Sequence, residues 1–142
     1  CDARITVRGP KAGRLHGGRI DCNDIPDALP ALAVAGCACR EPLSLFNVAH
    51  ARAKETDRVA VMATELANLG VRWEEHRDGL TVYPRANGRV LAGRVRSHGD
   101  HRVAMALATA GLIAEGTVEV DGAEVADITY PGFYRMLDGL RT

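Results

Sequence analysis

The sequence has no excess of charge of either sign, since its 142 residues include 18 Lys and Arg side chains and 18 Asp and Glu side chains. A protein that binds nucleic acid or a membrane surface broadly usually needs a basic excess. No stretch reaches the roughly 18 apolar residues of a membrane span, and no signal-peptide pattern is present. We therefore expect neither a nucleic-acid partner nor a membrane partner.

The four cysteines also lack the spacing of a disulfide framework. Cys37 and Cys39 lie two positions apart on a predicted helix, where they point to different faces. Together with Cys1 and Cys22 they are typical of small buried side chains in a reducing compartment, which predicts a cytoplasmic protein. Because the chain begins at Cys1 without a methionine, we expect a processed product or a piece of a longer polypeptide.

What the sequence does contain is the composition of a folded domain. Apolar residues make up 46% of the chain and charged residues 25%, which is ordinary for a globular protein and wrong for disorder. The length suits one or two compact units that share a core.

An internal repeat organises the chain. Residues 18–36 (GRIDCNDIPDALPALAVAG) align without a gap with residues 93–111 (GRVRSHGDHRVAMALATAG), 75 positions later, and seven of the nineteen positions are identical. Each copy predicts a short strand, a polar loop and an Ala-rich helix packed closely on both sides. The strands are expected at 18–21 and 93–96, and the helices at 27–38 and 102–114.

The segments that follow each copy also correspond. Each copy leads into a β-rich segment and then a second helix, opened by Thr56 in the first copy and by Pro131 in the second. A hairpin around Arg77-Asp78-Gly79 completes the first unit. The segments are 43–46 and 117–120 for the strands, 56–69 and 131–140 for the helices, and 71–74 with 80–83 for the hairpin. The pattern predicts an α/β fold with buried Ala-rich helices packed against sheets.

Charged residues are concentrated in front of two of these helices. HGDHR (98–102) precedes the apolar run 103–108, and KETDR (54–58) precedes the second helix of the first unit. Under the shift of 75, Asp27 falls opposite Arg102, and both begin an Ala-rich helix, where free N–H groups and the helix dipole favour anions. Arg102 is unfavourable there unless an anionic ligand or an acidic neighbour lies in front of it. The repeat thus predicts a pocket furnished with a carboxylate and a guanidinium.

Simpler interpretations of both motifs stay open at this level. Glu55 and Asp57 stabilise any helix start by about 0.3–1 kcal/mol, and Lys54 and Arg58 suit a solvated surface. In HGDHR, Asp100 is expected to act as a plain N-terminal cap, and a zinc site there has no fourth ligand nearby in the sequence. Two such motifs at the fronts of successive helices make an anion-binding active site an equal alternative.

Four longer segments resemble one enzyme family. NVAHARAKETDRVAVMATELANLG, SHGDHRVAMALATAGLIAEG, IPDALPALAVAG and TYPGFYRML are similar to the C-terminal part of the 5-enolpyruvylshikimate-3-phosphate synthases (3-phosphoshikimate 1-carboxyvinyltransferases). The resemblance runs from about Arg19 to the end, and KETDR and GDHR in this order and spacing are specific to the family. The chain resembles roughly the last third of the enzyme.

The resemblance implies a fold and a reaction. The family has two domains, each built from three β-α-β-α-β-β units of the enolpyruvyl transferase type, which close on substrate at their interface. This chain then supplies about two units of one domain, 1–90 and 91–142. The family transfers the enolpyruvyl group of phosphoenolpyruvate to the 5-hydroxyl of shikimate 3-phosphate and releases phosphate, by addition and elimination, in the shikimate pathway of aromatic amino-acid biosynthesis. It needs no metal for the chemistry, and no cofactor is expected.

The resemblance also assigns roles to six residues. Asp27 matches the acid that bonds the shikimate hydroxyls and acts as base toward the attacking oxygen. Glu55 matches the acid proposed to deliver a proton to the phosphoenolpyruvate methylene. The binding side chains are His50 and Lys54 for shikimate 3-phosphate, and Arg58 and Arg102 for phosphoenolpyruvate. Such chemistry needs acid/base groups on different sides of the reacting carbon, and fork-shaped cations hold phosphate and carboxylate well where water is excluded.

The sequence departs from the family pattern in two respects. Ile128 occupies a position where many members carry a lysine that contacts phosphoenolpyruvate. The family's N-terminal Lys-Ser pair and arginine, and the other domain's Ser, Gln and Arg ligands, have no counterpart here. We therefore expect the chain to need the remaining N-terminal part of the enzyme and to be inactive alone. The main alternative is a non-catalytic anion-binding or interaction module of the same fold, and a third is another enolpyruvyl transferase or a cyclase of similar fold.

Overall fold

The computed structural model describes residues 6, 8–9 and 14–140. This part of the chain contains both strands and helices, with a helix between β1 and β2 and another between β5 and β6, which confirms the α/β class. The strands are β1 (Gly18–Asp21), β2 (Leu43–Phe46), β3 (Arg72–His76), β4 (Gly79–Tyr83), β5 (Gly93–Arg96) and β6 (Val118–Asp121). The α-helices are α1 (Leu29–Cys37), α2 (Arg58–Asn68), α3 (His101–Ala110) and α4 (Phe133–Asp138). None of the helices in the described residues combines the length and apolar character needed to cross a membrane.

The spacing of 75 residues recurs in the backbone pairing. β1 lies parallel to β2 with Gly18 opposite Leu43, and β5 lies parallel to β6 with Gly93 opposite Val118. Gly93 follows Gly18 by 75 positions, and Val118 follows Leu43 by 75 positions. In both copies an Ala-rich helix joins the two parallel strands, as expected for a βαβ crossover. The two copies therefore form the same β-α-β arrangement, while the unit bounds 1–90 and 91–142 stay a prediction.

The start of α1 differs from the sequence expectation. Residues Pro26–Ala28 form a separate 3₁₀ turn, and the α-helix begins only at Leu29. Pro26 lacks an N–H and has a restricted φ, which suits the beginning of a helical segment. Asp27 consequently lies in the turn in front of α1, with its side chain at the surface and not within the helix.

The start of α2 also differs, because Thr56 is not its cap. Asp57 takes that position, and its carboxylate accepts a hydrogen bond from the Ala60 N–H at 3.0 Å. The hydroxyl of Thr56 points instead toward Asp100 Oδ2, at 3.4 Å. An aspartate at the N-cap satisfies one of the free amides of the first turn. The helix therefore begins at Arg58, two residues later than the periodicity indicated.

The predicted hairpin completes the sheet of the first copy. β3 and β4 pair antiparallel around a two-residue turn, with His76 opposite Gly79, and the strand order of the sheet is β1-β2-β4-β3. Gly79 is needed because a Cβ there would lie 1.9 Å from the carbonyl oxygen of Leu45. The second sheet contains β5 and β6, and within the described residues no hairpin pairs with the free edge of β6.

The two Ala-rich helices pack against each other in the core. α1 contacts α3 and α2, and both α1 and α3 are rich in small buried side chains such as Ala33 and Ala110. Small side chains allow helix axes to approach closely. Cys22, Cys37 and Cys39 are free thiols buried in the same core, as the sequence predicted, whereas Cys1 lies outside the described residues. The close packing brings the front ends of the helices together.

Candidate active site

Arg58 is the centre of an ion-pair network at the front of α2. Its guanidinium is almost fully buried, with 1% of the side chain exposed. Nε donates to Asp100 Oδ2 at 2.7 Å, Nη1 donates to Asp27 Oδ1 at 2.7 Å, and Nη2 donates to Glu55 Oε2 at 2.6 Å. Three carboxylates thus surround one buried cation, and every edge of its planar fork carries a charge-assisted hydrogen bond.

The three acids come from the segments in front of three different helices. Asp27 lies in the 3₁₀ turn before α1, Glu55 lies just before α2, and Asp100 lies just before α3. Carboxylates are stabilised at such positions by the positive end of the helix dipole. Because α1, α2 and α3 pack together, their front ends meet, and the acids converge on the first residue of α2.

Arg102 has the acidic neighbour that its position at the front of α3 requires. Its Nη2 lies 3.1 Å from Asp27 Oδ2, and Lys54 Nζ lies 3.4 Å from Asp27 Oδ1. The residues at matching positions of the repeat, Asp27 and Arg102, therefore form a direct ion pair. These side chains are partly exposed, at 44% for Asp27, 40% for Arg102 and 34% for Lys54. These three side chains form the solvent-facing side of the network, and Arg58 forms its buried side.

Asp100 serves both as a cap and as a ligand of Arg58. Its Oδ1 accepts the N–H groups of Arg102 at 2.8 Å and Val103 at 3.3 Å, at the start of α3. Its Oδ2 accepts the Arg58 Nε–H, and the residue is fully buried. The cap expected from the sequence is present, but its second role was missed. The signal available in the sequence was an acid placed two residues before Arg102, in the same charged motif.

Ion pairing shifts the pKa values in this network. Burial is the largest influence on Asp27 and on its own raises the pKa, but the hydrogen bond from Arg58 and the charges of Arg102 and Lys54 outweigh it, so the pKa is lowered. The pKa of Asp100 is lowered in the same way, since Arg58 and the α3 amides outweigh its burial. Burial lowers the pKa of Arg58, yet its acids raise it overall. These groups are therefore ionised at neutral pH.

Asp27 and Arg102 also border a hollow of about 220 Å³ between α1, α3 and α4. The remaining lining is largely apolar and consists of Ala31, Met105, Ala106, Thr109 and Phe133. His50 is exposed on the 3₁₀ helix Ala49–Ala53, which contacts the 3₁₀ turn that carries Asp27. The structure thus brings Asp27, Glu55, Lys54, Arg58 and Arg102 into one network and places His50 on a neighbouring segment.

Two further expectations from the sequence can be located. Ile128, at the position of the family lysine, ends the 3₁₀ helix Ala123–Ile128 and is 72% exposed. In the zinc alternative, the acid of HGDHR binds Arg58, and His98 binds Glu65 with an Nε2–Oε1 distance of 2.6 Å. Among the described residues, no group of three or more His, Cys, Asp or Glu side chains could hold a metal ion.

The network can exchange its internal acid for an external anion. Arg102 and Lys54 both bind the Asp27 carboxylate and both are partly exposed. A phosphate or carboxylate ligand that reaches them competes with Asp27, and the cations then bind the ligand. Losing cationic neighbours removes influences that lower the pKa of Asp27, so the carboxylate becomes a stronger base when such a ligand is bound.

Comparison with known proteins identifies relatives along nearly the whole chain. Residues 2–137 match the family model of EPSP synthase (3-phosphoshikimate 1-carboxyvinyltransferase). The chain is 44% identical over 139 residues to the 3-phosphoshikimate 1-carboxyvinyltransferase of Natronomonas pharaonis, covering 98% of this chain and 30% of that enzyme. It is 45% identical over 136 residues to the enzyme of that name from Methanocella arvoryzae, covering 96% of this chain and 31% of that enzyme.

The fold has solved counterparts as well. The structure of EPSP synthase from Acinetobacter baumannii superposes with a TM-score of 0.81 at 28% sequence identity, covering 89% of this chain and 30% of that one. The chain thus spans about 30% of the length of the relatives that it matches. These shares do not support the placement in the C-terminal part of the enzyme that the motifs suggested. The match over residues 2–137 shows that this protein belongs to the EPSP synthase (3-phosphoshikimate 1-carboxyvinyltransferase) family.

Proposed function

We propose that this chain forms part of a 3-phosphoshikimate 1-carboxyvinyltransferase, which transfers the enolpyruvyl group of phosphoenolpyruvate to the 5-hydroxyl of shikimate 3-phosphate. The observation that carries the proposal is the ion-pair network in which Asp27 lies between buried Arg58 and exposed Arg102. Both substrates are anions, and the exposed cations of this network are suited to phosphate and carboxylate groups.

In this proposal the partly exposed cations Lys54 and Arg102 bind the substrates, and the acids Asp27 and Glu55 transfer protons. Lys54 and His50 contact shikimate 3-phosphate, and Arg102 contacts phosphoenolpyruvate together with Arg58. Because Arg58 is buried behind its three acids, direct contact with phosphoenolpyruvate requires Asp27 or Glu55 to give up its hydrogen bond. Substrate binding and the release of an acid for catalysis are then the same event.

The chemical step uses the two acids together. Asp27 accepts the proton of the 5-hydroxyl as that oxygen attacks C2 of phosphoenolpyruvate. Glu55, once it has left Arg58 and taken up a proton, donates it to the C3 methylene, which gives a tetrahedral ketal. Elimination then transfers a proton from the resulting methyl group to the Glu55 carboxylate, breaks the bond between C2 and the phosphate oxygen, restores the double bond and releases phosphate, which takes the proton held by Asp27. Ionised Asp27 is in the form required of a base at neutral pH. The remaining ligands come from the rest of the polypeptide, so we expect no turnover from this chain alone.

Two other features belong to the same proposal. We propose that residues 1–90 and 91–142 form two repeat units of one domain. Free buried cysteines at positions 22, 37 and 39 are consistent with a cytoplasmic location.

The proposal is tested by phosphate release in the longer polypeptide that contains this chain. We expect Asp27→Asn and Glu55→Gln each to lower the rate by about 100-fold or more, the size of a general acid–base contribution. Asp24→Asn is the matched control, since Asp24 is an exposed acid three residues from Asp27, and it should leave the rate unchanged. Unchanged rates in both active-site variants would refute the assignment.

Binding separates this proposal from its alternatives. Calorimetry with shikimate 3-phosphate should detect binding that Arg102→Gln does not weaken and that Lys54→Gln does weaken, with Arg94→Gln as an exposed control paired with Asp121. A UDP-sugar that binds in place of shikimate 3-phosphate would indicate another enolpyruvyl transferase. Anion binding without turnover in the complete polypeptide would favour the non-catalytic module.

A further inference from the structure

The loop between β5 and α3 determines where the carboxylate of Asp100 lies. Two of its residues adopt left-handed backbone conformations, His98 with φ 53° and Gly99 with φ 76°. A residue other than glycine is uncommon in this region and costs free energy there. The loop ends at Asp100, whose Oδ2 binds Arg58 and whose Oδ1 caps α3. Contacts that hold the strained loop therefore also hold Arg58.

Glu65 makes such contacts from the C-terminal half of α2. Its carboxylate is buried, with 2% of the side chain exposed. Oε1 lies 2.6 Å from His98 Nε2, while Oε2 accepts the Arg96 N–H at 3.1 Å and an Asn68 Nδ2–H at 3.1 Å. A buried carboxylate is unfavourable unless it is fully hydrogen-bonded. Glu65 meets this requirement by binding the backbone N–H of Arg96, the last residue of β5, and the side chain of His98 in the loop.

The helix thus contacts the loop at two points on one face. Arg58 and Glu65 are seven residues apart, so they lie on the same side of α2, two turns from each other. Arg58 binds Asp100, the last residue of the loop, and Glu65 binds His98 within the loop and Arg96 just before it. Because an α-helix is rigid over two turns, the separation of the two contacts is set by the helix.

We propose that Glu65 and His98 are positioning residues, which hold the loop of residues 97–100 so that Asp100 reaches Arg58 and so that Arg58 and Arg102 keep their orientation. For its substrate this proposal rests on the proposed function, since Arg58 and Arg102 are assigned there to phosphoenolpyruvate. Lys54, His50 and Asp27, assigned to shikimate 3-phosphate, lie outside the loop, and Asp27 keeps its contact with Lys54 when the loop moves. Loss of the Glu65–His98 contact should therefore weaken phosphoenolpyruvate binding selectively.

Substitutions at the two residues separate positioning from a general loss of stability. His98→Asn keeps a residue that tolerates the left-handed conformation but is too short to reach Glu65. Glu65→Gln keeps both contacts, because its oxygen can accept the Arg96 N–H while its amide donates to the other tautomer of His98. His16→Asn is the control, since His16 is 80% exposed and lies 3.8 Å from the exposed Glu41.

The first measurement follows the Arg58 Nε–H by NMR in the longer polypeptide without substrate. This proton is buried in a 2.7 Å hydrogen bond to Asp100, so we expect slow exchange with solvent. His98→Asn should speed the exchange about tenfold, the size of coupling found within one hydrogen-bond network. Glu65→Gln and His16→Asn should leave it unchanged. If His98→Asn does not fold, Glu65→Asp, which is too short to hold the loop, replaces it.

The second measurement compares the dissociation constants of the two substrates. We expect His98→Asn to weaken phosphoenolpyruvate about tenfold and to leave shikimate 3-phosphate unchanged, with Glu65→Gln close to the parent. Unchanged Arg58 exchange in folded His98→Asn, or equal weakening of both substrates, would overturn the proposal. If the parent binds neither substrate, the proposed function fails, while the exchange measurement still decides whether Glu65 and His98 position Arg58.

Discussion

Replacing Asp100 by asparagine removes one buried charge and leaves the helix cap in place, because asparagine caps helices as well as aspartate does. The amide oxygen keeps the α3 N–H groups, so the amide NH₂ takes the position of Oδ2. The amide NH₂ then faces the Arg58 Nε–H across the 2.7 Å that separates Nε from Oδ2 in the parent. Two hydrogen-bond donors therefore oppose each other. Breaking a buried ion pair from one side costs about 3–5 kcal/mol. Since Arg58 keeps Glu55 and Asp27, we expect the lower end, about 3 kcal/mol.

Urea unfolding of the 142-residue chain, followed by circular dichroism, measures this change. We expect the free energy of unfolding to fall by about 3 kcal/mol without a change in m, since the surface exposed on unfolding stays the same. Asp100→Ala loses the cap as well and should cost about 1 kcal/mol more. Asp24→Asn, at an exposed position, should have no effect. The reasoning would be refuted if the free energy of unfolding of Asp100→Asn lay within about 1 kcal/mol of that of the parent. It would also be refuted if Asp100→Ala were no less stable than Asp100→Asn.

Three further predictions concern a cap, the pH and a thiol. Asp57→Ala should lower the free energy of unfolding in urea by about 1 kcal/mol, whereas Thr56→Ala should lower it less, and the reverse order would restore Thr56 as the cap. Because the pKa values of Asp27 and Asp100 are lowered from 3.8, their stabilisation is complete above that pH and is lost as the pH falls below it. The stability of Asp100→Asn should therefore fall less steeply in acid, and equal slopes would contradict this. Burial raises the pKa of Cys37 to about 12, so a thiol reagent at pH 8 should modify it about 1,000-fold more slowly in the folded chain than in urea, and equal rates would show that the thiol is accessible.

The repeat was predictable because it depends on local patterns. Two segments with similar apolar spacing and glycines at both ends form the same strand and helix, and β1, β2, β5 were expected at the residues where they occur. The predicted helix starts were less accurate, because Pro26 and Asp57 set where a helical segment begins through their own backbone and side-chain preferences. These effects involve only a few neighbouring residues, yet the hydrophobic period does not contain them.

The charged motifs were found from the sequence, but their pairing was not. The pattern indicated that Asp27 and Arg102 occupy matching positions, and the structure brings them into direct contact. The sequence pattern gave no indication that Asp100 binds Arg58, 42 residues away in the chain, or that Glu65 binds His98. Such pairs form only where packed helices bring distant segments within hydrogen-bond distance.

The sequence by itself determined the α/β repeat, the buried thiols and the two charged motifs in front of their helices, because periodicity, caps and composition act over a few residues. Only the tertiary structure decided that Arg58 is buried among three carboxylates and that Asp27 faces Arg102. The packing of α1, α2 and α3 sets those distances, and ion pairs and desolvation depend on distance and burial, not on position along the chain.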